Sequence, residues 1–307
     1  MPVEVEQIMD RARAIRASIM AAVQGATAAQ LDHKPGDRWS AREILLHLGN
    51  WEAEAVIWLQ HMLRNEPIPQ GGSADINQWN AEHLAPYAHL DAAGAIAYIE
   101  QSRRDLETTV AQVTEAHLQA DKRFIPVIIM TPDHEEGHLH QLLEALAIAR
   151  GDQHEAAIQY LAYARARILA RLRFESRPVS SLFWRSDGKG WSILDLLNHL
   201  AIWDRGGAAY FASVADGRPL PDPPYPPGGL DEWNQRQVAQ RRHESVAAVL
   251  HELGEARGAL TAQLRRLTPA QLATEGSQEW LKELRQHDDH HMHQMINLLQ
   301  GWSQAQS

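Results

Sequence analysis

WSAREILLHLGNWE, residues 39–52, and WSILDLLNHLAIWD, residues 191–204, are one stretch written twice. Trp39 aligns with Trp191, Ser40 with Ser192, His47 with His199 and Trp51 with Trp203, each at an offset of 152. Further out, INQWN (76–80) matches LDEWN (230–234) and VTEAHL (113–118) matches LTPAQL (267–272), both at 154. HEEGHLHQLLEAL (134–146) matches HDDHHMHQMINLL (287–299) at 153. One order and nearly one offset over this length mark a tandem duplication. The boundary falls in ARGDQHEAA, which gives one copy over 1–152 and a second over 153–307.

Each copy reads as four main helices. Apolar residues at Val5, Ile8, Met9, Ala12, Ile15, Ile19 and Val23 predict a first amphipathic helix over roughly 4–24. The second helix starts after Ser40, with Glu43 three residues on, a capping-box pattern. Ser192 and Asp195 are a weaker version of it in the second copy. Pro-rich loops follow, NEPIPQGGSAD and DGRPLPDPPYPPGGLD, because proline at that density cannot continue a helix. A short helix then carries Trp79–Asn80 (Trp233–Asn234), and a third long helix spans about 92–112 (245–266). Thr131 and Pro132 are expected as the N-cap and first residue of the fourth helix, about 132–149; its counterpart is about 278–302. β-Branched residues cluster chiefly in FIPVIIM at 124–130. The fold expected is therefore all-α, two tandem four-helix bundles packed as a pseudo-dimer within one chain.

The formal net charge of −10 disfavours a nucleic-acid backbone or an anionic membrane as partner. No apolar run approaches the roughly 18 residues needed to cross a bilayer. MPVEVEQIMDRAR does not read as a signal peptide, so a cytoplasmic location is expected, with a small molecule as substrate. Further oligomerisation is not legible. There is no cysteine, hence no thiol nucleophile and no Cys-based zinc site; any thiol chemistry needs a small-molecule thiol.

Histidine is abundant, 17 in 307 residues, and about one HxxxH pair is expected by chance. Here the pair occurs in both copies, as His134/His138 and His287/His291. Spacing of i and i+4 turns a helix by about 40° and rises about 6 Å, so both rings leave one face. Two imidazoles are an incomplete metal site. Each copy also carries a lone histidine inside an apolar helix, His47 in ILLHLGNW and His199 in LLNHLAIW. A buried imidazole needs partners for its nitrogens: either a backbone carbonyl, as a core histidine, or the pair on the fourth helix, as the third ligand. The recurrence of all three favours the second reading. Three neutral imidazoles hold a divalent metal and leave positions open for water or substrate.

The pattern WSxxxLLxHLxxWE, followed about 90 residues later by HxxxHxxQ, resembles the DinB-like superfamily of four-helix-bundle metalloenzymes. The nearest flavour is its mycothiol- and bacillithiol-dependent S-transferases and isomerases. The resemblance covers nearly the whole chain, twice. It implies that His47, His134 and His138 bind one metal and His199, His287 and His291 another, with Gln141 and Gln294 at the Gln of the motif. It further implies a divalent transition metal (zinc, nickel or iron), up to two per chain, and a low-molecular-weight thiol as co-substrate. The expected function is a metal-dependent S-transferase or isomerase; a metal-assisted hydrolase and a non-catalytic metal- or ligand-binding stress or resistance protein are the alternatives. Catalytic residues beyond the ligands are not identified. The chain departs from the family's HxxHH pattern in copy one, where Gly137 stands at the position of His290.

Other residues carry two readings. HEEGH also matches the HExxH protease signature, read here as an accidental overlap because copy two has Asp288 at the position of Glu135. Trp51 and Trp203, one turn after the lone histidines, are expected in the core, with a pocket wall as the alternative. Glu135, Glu136, Asp288 and Asp289 are read mainly as solvated charges, Glu52 and Asp204 as lying off the histidine stripe, and His140 and His293 as surface or inter-repeat residues.

Overall fold

The computed structural model describes residues 1–69, 75–174, 179–185, 190–221 and 229–306. Among them are thirteen α-helices and no β-strand. The Pro-rich segments fall partly on 70–74 and 222–228, outside the described residues. No described helix is long and apolar enough to cross a membrane.

Helices α1 (Val3–Val23), α2 (Ala28–Asp32), α3 (Ala41–Leu63), α4 (Ile76–Leu84), α5 (Ala92–Val110), α6 (Glu115–Ala120), α7 (Phe124–Arg150) and α8 (Gln153–Phe174) come first. Helices α9 (Ile193–Asp216), α10 (Leu230–Arg241), α11 (Val246–Leu264), α12 (Pro269–Leu272) and α13 (Glu275–Gln306) follow. Contacts divide the chain into two compact units, Met1–Glu175 and Ser176–Ser307. The repeat boundary read from sequence falls in the turn between α7 and α8. Gly151 takes φ 75° there, a left-handed conformation that glycine adopts without penalty, and the Asp152 carboxylate accepts from the Glu155 amide to start α8.

In the first unit α3 packs on α5 and α7, α1 packs on α7, and α8 lies along α7. The buried face of α1 is Val5, Met9, Ala12, Arg16, Ile19 and Val23, the expected period with one charged residue in the apolar register. Leu45, Leu48, Ile99, Leu142 and Leu146 meet in the core, each worth roughly 1.5–3 kcal/mol on burial. Helix α3 presses so closely on α5 that a Cβ at Gly49 would lie 2.5 Å from the Tyr98 ring. In the second unit α9 packs on α10, α11 and α13.

Both capping boxes are formed. Ser40 caps the Glu43 amide while Glu43 returns to the Ser40 amide at 2.8 Å. Ser192 and Asp195 do the same, and Asp195 is also paired with Arg185 and Arg242. The expected start of the fourth helix at Pro132 is corrected: α7 begins at Phe124 and carries Pro132 in its interior. Proline cannot donate to the carbonyl of Ile128 four residues earlier. The Thr131 hydroxyl donates to that carbonyl instead, at 2.9 Å, and the helix continues through FIPVIIM.

Candidate metal centre

Helix α3 supplies His47 and α7 supplies His134 and His138, one turn apart. Their Nε2 atoms converge: His47 lies 3.0 Å from His134 and 3.2 Å from His138. In the second unit α9 supplies His199 and α13 supplies His287 and His291, with Nε2 separations of 2.8 Å (His199 to His287) and 3.0 Å (His287 to His291). The structure thus brings together all six histidines singled out from the sequence, in two groups of three that could each hold a metal ion. His47 and His199 are each only 3% exposed.

The donor set fits a divalent transition metal. At metal–nitrogen distances of about 2.0–2.1 Å, ligands at right angles lie about 2.9 Å apart and tetrahedral ones about 3.4 Å apart. The separations of 2.8–3.2 Å fall close to these values, so each group could share one ion. Burial, reinforced by neighbouring histidines, pushes the imidazoles toward the neutral, ligating form: His47 and His199 are each lowered to about 2, and His134 is lowered well below its ordinary value. For His138 burial dominates and lowers it to about 4. His291 is lowered by burial and raised in part by its bond to Gln294.

Both glutamines of the HxxxHxxQ motif hold the second ligand of the pair. The His138 Nδ1–H donates to Gln141 Oε1 at 2.6 Å, and the His291 Nδ1–H donates to Gln294 Oε1 at 2.7 Å. The proton on Nδ1 leaves the Nε2 lone pair for a metal. In copy two Gln294 Nε2 also donates to exposed His290 at 3.0 Å. Its copy-one counterpart, Gly137, is buried, and a Cβ there would lie 3.9 Å from Arg167 and 4.0 Å from Tyr163 on α8. These are ordinary contact distances, so Arg167 and Tyr163 border the space that a side chain at 137 would enter.

Tryptophans flank each histidine group. Trp39 and Trp191 lie 4.6 and 4.7 Å from the rings of His47 and His199. Trp51 lies 5.4 Å from His134 and Trp203 lies 4.9 Å from His287, so these two rings line the site instead of being wholly buried in the core. Their indole nitrogens are buried and have no hydrogen-bond partner. The amide oxygens of Asn80 and Asn234 are in the same condition. A cavity of about 100 Å³ is lined by Leu48, Trp51, Glu52, Met130, Thr131, His134 and Glu135.

Sequence reading missed a buried charge network behind the histidines. Glu52 and Glu135, each 1% exposed, are bridged by Arg16 and Arg103. Arg16 bonds Glu135 Oε1 through Nε at 2.9 Å and Glu52 Oε2 at 2.8 Å. Arg103 bonds Glu52 Oε1 through Nε at 2.8 Å and Glu135 Oε2 at 2.5 Å, and Ser102 donates to Glu52 Oε2 at 2.7 Å. Copy two repeats the theme with Arg257 between Asp204 (3.0 Å) and Asp288 (2.9 Å). The reading of Glu135 and Asp288 as solvated charges is therefore corrected. Glu135, the glutamate of the HExxH match, is committed to arginines and is not poised as a protease base. The signal was present: Arg16, Glu52 and Arg103 sit at apolar-register positions of their helices. His140 points away from the metal face and pairs with Gln159 of α8 at 2.6 Å, while exposed His293 bonds the Asp289 carbonyl.

Fold and site together define a tandem helical-bundle protein with one three-histidine group per copy that could hold a metal ion. The family model of the DinB superfamily matches residues 11–142 and 160–295, and the chain belongs to that superfamily. No curated protein and no solved structure gives a match to the chain.

Proposed function

We propose that the protein is a metal-dependent enzyme acting on a small molecule, of the thiol-dependent S-transferase or isomerase type. The observation that carries the reading is the convergence of three imidazoles on one point in both copies. A divalent metal there supplies a Lewis acid that favours the deprotonated form of a thiol or water.

The charge network favours the thiol reading over the hydrolytic one. A hydrolase needs a general base within hydrogen-bond reach of its water, directly or through one further water. Glu52 and Glu135 line the cavity beside His134, and all four of their oxygens accept from Arg16, Arg103 or Ser102. A thiol, whose ordinary pKa is about 8.5, is far more acidic than water and on a bound metal would lose its proton to solvent with no side-chain base. With no cysteine in the chain, the thiol comes from solution. His47, His134 and His138 (His199, His287 and His291) hold the metal, Gln141 and Gln294 fix one ring of each group, and the tryptophans exclude water from one side. A cytoplasmic setting, where such thiols are reduced, fits this chemistry.

The test loads purified full-length protein with zinc, nickel, iron(II) or cobalt. Metal content is measured first, then consumption of a panel of low-molecular-weight thiols with and without an electrophilic partner. Two metals per chain and thiol-dependent turnover are expected. Absence of thiol binding and turnover with every metal overturns the reading; tight ligand retention without product makes the protein a binding protein.

A further inference from the structure

We infer that the indole N–H groups of Trp51 and Trp203 donate a hydrogen bond to an oxygen acceptor, a carboxylate or carbonyl, on the small molecule held beside each three-histidine group. The two tryptophans are then positioning residues. This inference rests on the metal-site reading above, since the ligand lies between the histidines and the indole.

A tryptophan nitrogen is a donor only, and a buried donor without a partner is rare. Here the same donor is left open twice, at positions 152 apart in the two copies. Both rings take the same place relative to the ligands. Each lies about one ring-width from the first histidine of the pair, 5.4 Å for Trp51 to His134 and 4.9 Å for Trp203 to His287. Each meets the lone histidine edge-on, at 6.3 Å (His47) and 6.1 Å (His199). The two copies keep this arrangement although the following acid is Glu52 in one and Asp204 in the other.

The surroundings indicate what the donor meets. In copy one, Trp51 and His134 line the same cavity of about 100 Å³, whose other walls include Leu48 and Met130. A cavity of about 150 Å³ holds benzene, so this one takes a fragment of roughly acetate size. The carboxylates on its wall, Glu52 and Glu135, are occupied by Arg16 and Arg103 and leave the indole unpartnered. The unpartnered oxygens of Asn80 and Asn234 do not bond the indoles either. An apolar slot with one open donor next to a Lewis-acid site recognises a short carboxylate or carbonyl fragment.

Acetate is the probe, and the zinc-loaded, ¹⁵N-labelled full chain is the sample. The ten tryptophans give ten indole N–H resonances. Those of Trp51 and Trp203 are expected to move saturably with acetate, well beyond the other eight. Trp51→Phe and Trp203→Phe keep a ring and remove the donor. Each should weaken acetate binding at its own copy about tenfold or more while zinc affinity stays within about twofold. The resonance shifts in the unsubstituted protein stand as a readout whether or not the variants fold. Indoles unmoved by acetate in zinc-loaded protein, or Phe variants that bind acetate as tightly as the parent, overturn this inference alone. Failure of the parent to bind zinc overturns the metal reading and this inference with it. A response in one copy sustains the assignment there and overturns it in the other.

Discussion

His138 gives its Nδ1 proton to Gln141 at 2.6 Å, and this bond sets which nitrogen of the ring faces His47 and His134. Gln141→Leu removes the acceptor and frees the ring to turn. Loss of a partner that orients a ligand histidine typically weakens metal binding 10–100-fold. Chelator competition on Gln141→Leu and Gln294→Leu should show that loss at the matching copy, with helix content unchanged by circular dichroism. Equal affinity to the parent would remove the orienting role.

His47 and His199 each complete a group of three. His47→Ala is expected to lower metal content from two per chain to one, His199→Ala likewise, and the double variant to none. Elemental analysis reads the count directly. The melting temperature of metal-free protein should hardly change, which separates ligation from a purely structural histidine cluster.

Arg103 bridges Glu52 and Glu135 in the interior of the first unit. Taking away one partner of a buried ion pair leaves an uncompensated charge and costs about 3–5 kcal/mol. Arg103→Ala and Arg257→Ala should each destabilise the protein by that order in urea denaturation. An exposed pair such as Arg64–Glu66 serves as the control, where Arg64→Ala should change stability by less than about 1 kcal/mol.

Burial holds His47 and His199 at about 2 in the folded chain, far below the ordinary value near 6.5. The unfolded chain therefore binds more protons, and the neutral buried rings support folding fully only above pH 6.5. As pH falls below 6.5 toward the folded values, each of these histidines removes about 1.4 kcal/mol of stability per pH unit. Metal-free protein should lose stability between pH 7 and pH 5, before carboxylates titrate, and His47→Ala should flatten that dependence. A stability profile level over this interval would contradict the burial of the neutral rings.

Much of this molecule is readable along the chain because a duplication makes each signal checkable against its copy. The Trp39–Glu52 stretch and its counterpart, the two HxxxH pairs and their common offset lead to two all-α copies and to six candidate ligand positions. Helical periodicity is a local property, so the stripes of α1 and α3 and the capping serines are fully present in sequence. The start of α7 was not readable: Pro132 ends a helix on local grounds, and only the Thr131 hydroxyl at the Ile128 carbonyl lets it continue.

The chain's own order of residues settled the helical class and the duplication and singled out the six candidate histidines, since these depend on local spacing and on its recurrence at one offset. Tertiary structure decided what those spacings leave open. It brought His47 across from α3 to α7, residues 87 and 91 positions apart, because only packing sets distances between helices. It turned Glu52, Arg16 and Arg103 from charges of unassigned role into one buried network, because a charge enters a core only when its partners arrive from other helices. It also set Trp51 and Trp203 against the ligands with their N–H groups open, a property of burial and direction that no residue pattern encodes.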